Sequence, residues 1–350
     1  MLIKFALVPE QLSSIDPAVL ENIVSELLRA HRHGFHLLVL SRQAAEFLCK
    51  HITLAPRDLA LLQRLSSEYT QTGTLWRRAS IYLEVSIDSH FDLRDNAIIT
   101  PITYLGPANI GQPGGLLIED AHNDGFVIDF ILRNVRDIFG APRSSFVLQH
   151  GGGSGIVRRF EEAVELRSIT LCILDTDMKS PRDNLCAVSR KVLAACSPTW
   201  PPVIAKTLPC HEIENVIPHE VLRMLRCAEG CNWNTFVPMV EAWEETTSIP
   251  RTERFWLFFD VKGGLSSEAA SKINPLDKKW LDDRLKIAGL TAAPWIHTGY
   301  GTNVISCLRV DNAAQAELRR HVRSKNWLAV FSPMCSQLLW FFASAVPLIT

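Results

Sequence analysis

Residues 116–139 read LLIEDAHNDGFVIDFILRNVRDIF. Three apolar residues run straight into Glu119, a short polar turn follows, and apolar side chains then recur at the spacing of a buried helix face. The unit repeats down the chain. SSFVLQH (144–150), ITLCILD (169–175) and VIAKTLP (203–209) read as strands. SGIVRRFEEAVEL (154–166), NLCAVSRKVLAACS (184–197) and HEVLRMLRCA (219–228) read as the helices between and after them. Short apolar strands alternating with amphipathic helices predict a mostly parallel sheet with helices on both faces. Ligands of such sheets bind beyond the carboxyl ends of the strands.

Working outward, residues 1–110 predict a smaller α/β unit. Asp16 and Pro17 form a helix cap and first turn, followed by Leu20, Ile23, Val24, Leu27 and Leu28 at helical spacing, with Gly34 beyond the end. HLLVLS (36–41) and SIYLEVSI (80–87) read as strands, RQAAEFLCKHI (42–52) and APRDLALLQRLSSEYT (55–70) as helices. The Gly- and Pro-rich YLGPANIGQPGG (104–115) marks a linker or long turn before the central unit, residues 115–225. Residues 226–350 predict an α+β region. There ERFWLFFDVKGGL (253–265) reads as a strand ending in a glycine turn and LDKKWLDDRLKIAGL (276–290) as a helix. The tail, WLAVFSPMCSQLLWFFASAVPLIT (327–350), has no charge; Ser332, Pro333, Ser336 and Gln337 interrupt it, so it predicts a buried terminal helix or a partner interface rather than a membrane anchor.

The totals narrow the function classes. Of 350 residues, 47% are hydrophobic and 21% charged, as in a folded soluble protein. A formal charge of −1 offers no general attraction to nucleic acid, so a polyanionic partner requires a local basic patch. Nine cysteines, an odd number, and an N-terminal MLIKFALVPEQ without a signal-peptide core point to reduced thiols and a cytoplasmic location. Cys227 and Cys231 have no matching second pair to complete a zinc site.

Three strand ends carry carboxylates: Glu119, with Asp120 and Asp124 close behind; Asp175 and Asp177; and Glu212 and Glu214 in HEIEN. Two-residue spacing allows a pair of side chains to point to one side. Acidic residues also follow strands simply because loops are solvated. Gathered on one edge, however, like charges repel, and a hard divalent cation such as Mg2+ or Mn2+ removes the penalty. Two such ions serve phosphodiester hydrolysis, though spacing alone does not separate nuclease from phosphatase or synthetase chemistry. HGGGSGIVRRF (150–160) adds a glycine loop that brings backbone N–H groups to an anion, with Arg158 and Arg159 just behind it.

LLIEDAHNDGFVIDFIL and CILDTDM resemble the opening strand and the DxD strand end of the Toprim fold. The combined order LLIEDAxND, HGGG, LDTD, EIEN is similar to the OLD-like Toprim nucleases of bacterial anti-phage defence, over about residues 115–225. That resemblance implies a Mg2+- or Mn2+-dependent endonuclease. Glu119 would be metal ligand and general acid or base, Asp124, Asp175, Asp177 and Glu214 would hold metal, with Glu212 as alternate. Asn215 would orient the loop, and His150 and His211 would position substrate or touch phosphate. Lys262 would stabilise the transition-state phosphate, with Lys179 and Lys206 as competitors. The family usually has glycine after the glutamate, where this chain has Asp120 and Ala121. Implied partners are DNA or RNA, a separate ATPase or sensor protein, since no Gly-Lys-Ser/Thr phosphate loop is present, and a second copy of the chain. Two other expectations stand beside this one: a non-catalytic regulatory or protein-interaction subunit retaining the fold, and a small-substrate phosphotransfer enzyme. Tyr69, Tyr82, Tyr104 and Tyr300 lie in no recognisable topoisomerase context, and no zinc-binding module of a primase precedes the motif region.

Overall fold

The computed structural model describes residues 1–106, 108–228, 233–289 and 297–348. Cys231 and the last two residues of the tail lie outside them.

The first sheet holds β1 (Leu2–Phe5), β2 (Leu37–Leu40), β3 (Tyr82–Ser86), β4 (Asp92–Arg94) and β5 (Ala97–Pro101), in the order β2-β1-β3-β5-β4. All neighbours are parallel except β4, which turns back antiparallel on β5. Helices α1 (Pro9–Leu12), α2 (Pro17–Arg32), α3 (Arg42–His51) and α4 (Pro56–Thr72) accompany it. Asp16 caps α2 by accepting from the Ala18 and Val19 amides at 2.8 and 3.3 Å, and the stripe from Leu20 to Leu28 is buried as its spacing predicts. The central position of β1, and the β4–β5 pair, are additions to the sequence reading.

The second sheet has the four strands expected of the central region: β6 (Gly115–Ile118), β8 (Val147–His150), β9 (Thr170–Leu174) and β10 (Val203–Thr207), with a two-residue β7 (Arg143–Ser144) outside it. Its order is β10-β9-β6-β8 and every neighbour is parallel. β6 and β9 are buried at every position, because a parallel sheet is covered on both faces. The chain leaves β6 through α5 (Asn123–Val135) for β8 on one side, then crosses back through α6 (Ile156–Glu165) to β9 on the other, and moves outward through α7 (Ala187–Ala194) to β10. Right-handed crossovers in opposite directions put α5 on one face and α6 with α7 on the other. β6 and β9 are therefore adjacent strands whose continuations diverge, and their carboxyl ends form a topological switch point.

The remaining elements are α8 (His219–Leu222), α9 (Trp233–Thr246), α10 (Ser267–Ser271), α11 (Lys278–Ile287), α12 (Val304–Val310), α13 (Asn312–His321), α14 (Lys325–Phe341), and the short strands β11 (Gly264–Leu265), β12 (His297–Thr298) and β13 (Ala343–Ser344). Two segments fold differently from their sequence pattern. HEVLRMLRCA forms a single α-turn, because its hydrogen bonds tighten to three-residue closures at Met224 and Leu225, which a buried Val221, Leu222 and Leu225 at that spacing favour. ERFWLFFDVKGGL is no strand over its aromatic part. Phe255–Phe259 are all buried, so alternation has no solvent face to serve, and Phe255–Phe258 coil into a 3-10 turn.

The uncharged tail is core. Trp327, Phe331, Cys335 and Leu338–Phe342 are buried, and β13 then pairs antiparallel with β7. No helix among the described residues is long and apolar enough to cross a membrane.

Candidate active site

Glu119 leaves the end of β6 and is exposed at the switch point. The turn after it is organised by Asp120, which accepts from the His122 and Asn123 amides at 2.9 and 3.2 Å and from Asn123 Nδ2 at 2.7 Å. Burial alone would raise the Asp120 carboxyl, but these donors outweigh it and hold it below its usual range. Asp120 in turn donates its own amide to Asp124 Oδ2 at 2.9 Å. The Asp120 side chain thus caps the turn, and its backbone amide aims Asp124 back toward the strand ends.

Asp175 ends β9, half-buried. Ser189, in the first turn of α7, donates its hydroxyl to the Asp175 carbonyl at 2.6 Å, and the Cys186 amide donates to the Thr176 carbonyl at 3.0 Å. Thr176 is buried and binds the other loop: its amide donates to the His211 carbonyl at 3.0 Å and its hydroxyl to the Cys210 carbonyl at 2.6 Å. Asp177 has φ +53° and is exposed; its amide also donates to the His211 carbonyl, at 3.0 Å. The positive φ turns the chain so that Asp175 and Asp177 occupy different depths, although both line one cleft of about 240 Å3 with Glu119, Gly153, Ser154 and Ser189. A second, much smaller space of about 10 Å3 lies between Glu119, Asp124, Asp175 and Ile213. It is about the size one water or one small ion fills.

The HEIEN loop after β10 is buried throughout. Asn215 pins it: its Oδ1 accepts from the Glu212 amide at 3.0 Å, and its Nδ2 donates to the Trp256 and Phe259 carbonyls at 2.6 and 2.7 Å. The aromatic run is held here instead of in a sheet. That run delivers Lys262, whose Nζ stands 2.9 Å from Glu212 Oε2 and 3.3 Å from Glu214 Oε2. Lys179 and Lys206 do not share these ion pairs. The Lys262 backbone is equally constrained, because a Cβ on Gly299 would fall 2.1 Å from the Lys262 carbonyl oxygen.

The charges of these segments interact. Burial pushes the Asp124 carboxyl up to about 7, against the pull of the Asp120 amide, and the Glu214 charge adds to the rise. Burial likewise pushes Glu214 up to about 7, with Glu212 adding and Lys262 opposing. Asp175 is raised well above the carboxylate range by burial, then by Asp124 and Glu214. Glu212 is raised by burial and drawn down by Lys262. Burial lowers Lys262, but Glu214 and Glu212 outweigh it and keep its ammonium charged. Asp124, Asp175, Glu212, Glu214 and Lys262 therefore form one electrostatic unit, with Glu119 and Asp177 on its open side.

The chain matches no family model, no curated protein and no solved structure. What it can do is read from its own geometry. His211, Glu212 and Asp260 bring ligand atoms within 4.8 Å of one another, and so do His219, Glu220 and Glu241. Both groups could in principle hold a metal ion. Of the ligands expected from sequence, Glu212 belongs to one of them; Glu119, Asp124, Asp175, Asp177 and Glu214 belong to neither. Asp260, two residues before Lys262, and Glu241 were not legible as ligands because each joins an adjacent His–Glu pair from a different segment.

The glycine loop lies against Glu119. The Gly152 amide donates to the Glu119 carbonyl at 3.1 Å, Gly152 and Gly153 have φ +65° and +58°, and a Cβ on Gly153 would stand 3.8 Å from Glu119 Oε1. His150 is exposed and its Nδ1 accepts from the Ala121 amide at 3.3 Å. Arg158 and Arg159, expected near a phosphate, both pair with Glu162 on the exposed side of α6.

Proposed function

We propose that this chain is a divalent-metal-dependent phosphodiester hydrolase of the OLD-like Toprim kind, acting on DNA or RNA as an effector of anti-phage defence together with a separate ATPase or sensor protein. One observation carries the reading: Asp124, Asp175, Glu214 and Lys262, from four separate segments, interact at the carboxyl ends of β6 and β9. The donor set suits Mg2+ or Mn2+, being all carboxylate oxygen. Further support is the excess of negative charge. Four carboxylates face one ammonium, and burial raises all four.

Asp124, Asp175 and Glu119 would hold the ion on the open side, with Glu212 and Glu214 behind them. Bound there, it would activate water and stabilise charge on phosphate oxygens. Glu119, exposed on the cleft, is placed to take up or return a proton. Lys262 holds a fixed positive charge beside the acidic groups, and Asn215 keeps the Glu212–Glu214 loop in register. The Gly152–Gly153 turn leaves the cleft mouth free of side chains, so a backbone phosphate can approach.

A second reading has its own support. Lys262 already bridges Glu212 and Glu214, which is where a cation would otherwise be needed, so the fold can persist as a non-catalytic regulatory or protein-interaction subunit. Cleavage of plasmid, linear DNA and tRNA by the purified chain with Mg2+ and with Mn2+ decides between them. The enzymatic reading expects cleavage that Asp175→Asn and Glu119→Gln each reduce at least about 100-fold with the fold retained. Undiminished cleavage by both variants overturns this site; no cleavage with either metal, alongside tight binding to another chain, favours the second reading.

A further inference from the structure

We propose that His219, Glu220 and Glu241 form a second metal site, separate from the acidic centre, that takes a divalent transition-metal ion, best Zn2+, with an open position on a neighbouring cleft. His219 and Glu220 come from α8, and Glu241 from the middle of α9. His219 Nδ1 lies 2.9 Å from Glu241 Oε2 and 3.4 Å from Glu220 Oε2. Ligand atoms about 2.1 Å from one ion in a tetrahedron stand about 3.4 Å apart, so these separations match a shared ion with little movement.

The independent observation is His219 itself. It is only 6% exposed, and its Nδ1 is wedged between two carboxylates, 2.9 Å from Glu241 and 3.4 Å from Glu220, without a well-aligned hydrogen bond to either. Two carboxylates packed against a buried ring nitrogen need a proton or a cation to offset their charge. An ion between the three groups satisfies all of them at once. Nitrogen in the ligand set separates this site from the all-oxygen centre, because imidazole favours Zn2+ and its neighbours over Mg2+. Two carboxylates and a neutral imidazole balance a 2+ charge.

Three protein ligands leave a tetrahedral ion one position short, the arrangement of a zinc site that also binds water or substrate. That position would face a cleft of about 600 Å3, whose walls include His219, Glu220, Glu241, Arg254, Trp256 and Trp327. The same ion would clip α8 to α9.

Co2+, a spectroscopic substitute for Zn2+, is titrated into the chelator-stripped full chain in excess Mg2+, which takes up the all-oxygen centre. The visible d–d absorption reports the coordination, and Zn2+ competition reports the affinity. The expected result is one Co2+ per chain with the intense absorption of a four- or five-coordinate site, displaced by Zn2+. Glu241→Gln and His219→Gln should weaken binding about 100-fold. Asp175→Asn and Asp260→Asn should each leave the spectrum unchanged, which separates this site from the acidic centre and from the His211 group. Glu220 is the most exposed of the three, so Glu220→Gln is the variant whose fold is safest, and it should also lose the absorption. An unchanged spectrum and stoichiometry in Glu220→Gln and Glu241→Gln overturns the proposal, as does a wild-type chain showing only the weak absorption of six-coordinate aqueous Co2+.

Discussion

Lys262 Nζ lies 2.9 Å from Glu212 Oε2 across 50 positions of sequence, and the Lys262 amide donates to Glu212 Oε1 at 3.3 Å. One residue thus grips both oxygens of a carboxylate that is 5% exposed. Around this pair the acidic strand ends are held together.

Replacing Lys262 with Met should therefore destabilise the chain. Breaking a fully buried pair costs about 3–5 kcal/mol. The Lys262 side chain is 36% exposed, so solvent screening reduces the expected loss to about 1–3 kcal/mol. Urea unfolding measures it, and added Mg2+ should recover part of the loss. A midpoint unchanged from wild type contradicts this role for Lys262.

Stability should fall as pH rises through neutrality when no divalent ion is present. Asp124 and Glu214, both pushed up to about 7, bind protons in the folded chain that an unfolded carboxylate has released above about pH 4. Their contribution is complete at acidic pH below the unfolded values and is lost as pH climbs through about 7. Thermal unfolding between pH 5 and 8 should show the decline, on the order of 1 kcal/mol or more. Asp124→Asn should flatten it, and Mg2+ should abolish it. A stability that rises over this range would refute the acidic cluster.

Asp175 and Asp177 should differ in effect. Asp175 is half-buried and coupled to Asp124 and Glu214, whereas Asp177 is exposed with its backbone turned by a positive φ. If cleavage is measured, Asp175→Asn should cost at least about 100-fold and Asp177→Asn less than about 10-fold. Equal losses would mean that Asp177 enters the ligand set when substrate binds.

Arg284 and Glu244 offer a test outside the site. Their Nε–Oε1 distance is 2.6 Å, their side chains are 2% and 0% exposed, and the guanidinium stacks 4.3 Å above Trp280. Burial raises Glu244 and lowers Arg284 despite the pairing, so desolvation outweighs attraction. Arg284→Met should cost about 3–5 kcal/mol, and Arg284→Met with Glu244→Leu should recover most of it, read as a double-mutant cycle in urea. A double variant as unstable as the single one would show that the stacking, not the charge, holds α11 to α9.

The legible parts of the fold share one property, in that they are local. β6, β9 and β10 announce themselves as apolar runs ended by polar residues, and α2 as a capped amphipathic stripe. The short β1, buried between β2 and β3, has four residues and no flanking turn signal to separate it from any apolar start. Phe255–Phe259 look like a strand because aromatic residues favour sheets. In the fold they meet Asn215 and His211, which donate to their carbonyls, and among the described residues no neighbouring strand.

Taken alone, the order of residues determined the alternation of strands and helices, the burial of the tail, and the placement of carboxylates at strand ends. These follow from hydrophobic period and turn chemistry within a few residues. Only the tertiary structure decided that β6 and β9 are neighbours, that Asp124 turns inward while Asp177 turns out, and that Lys262 arrives from beyond an aromatic coil. Glu241 likewise meets His219 only after folding. Sheet order, and the burial that moves a carboxyl's pKa, depend on contacts between distant segments, and no local pattern encodes them.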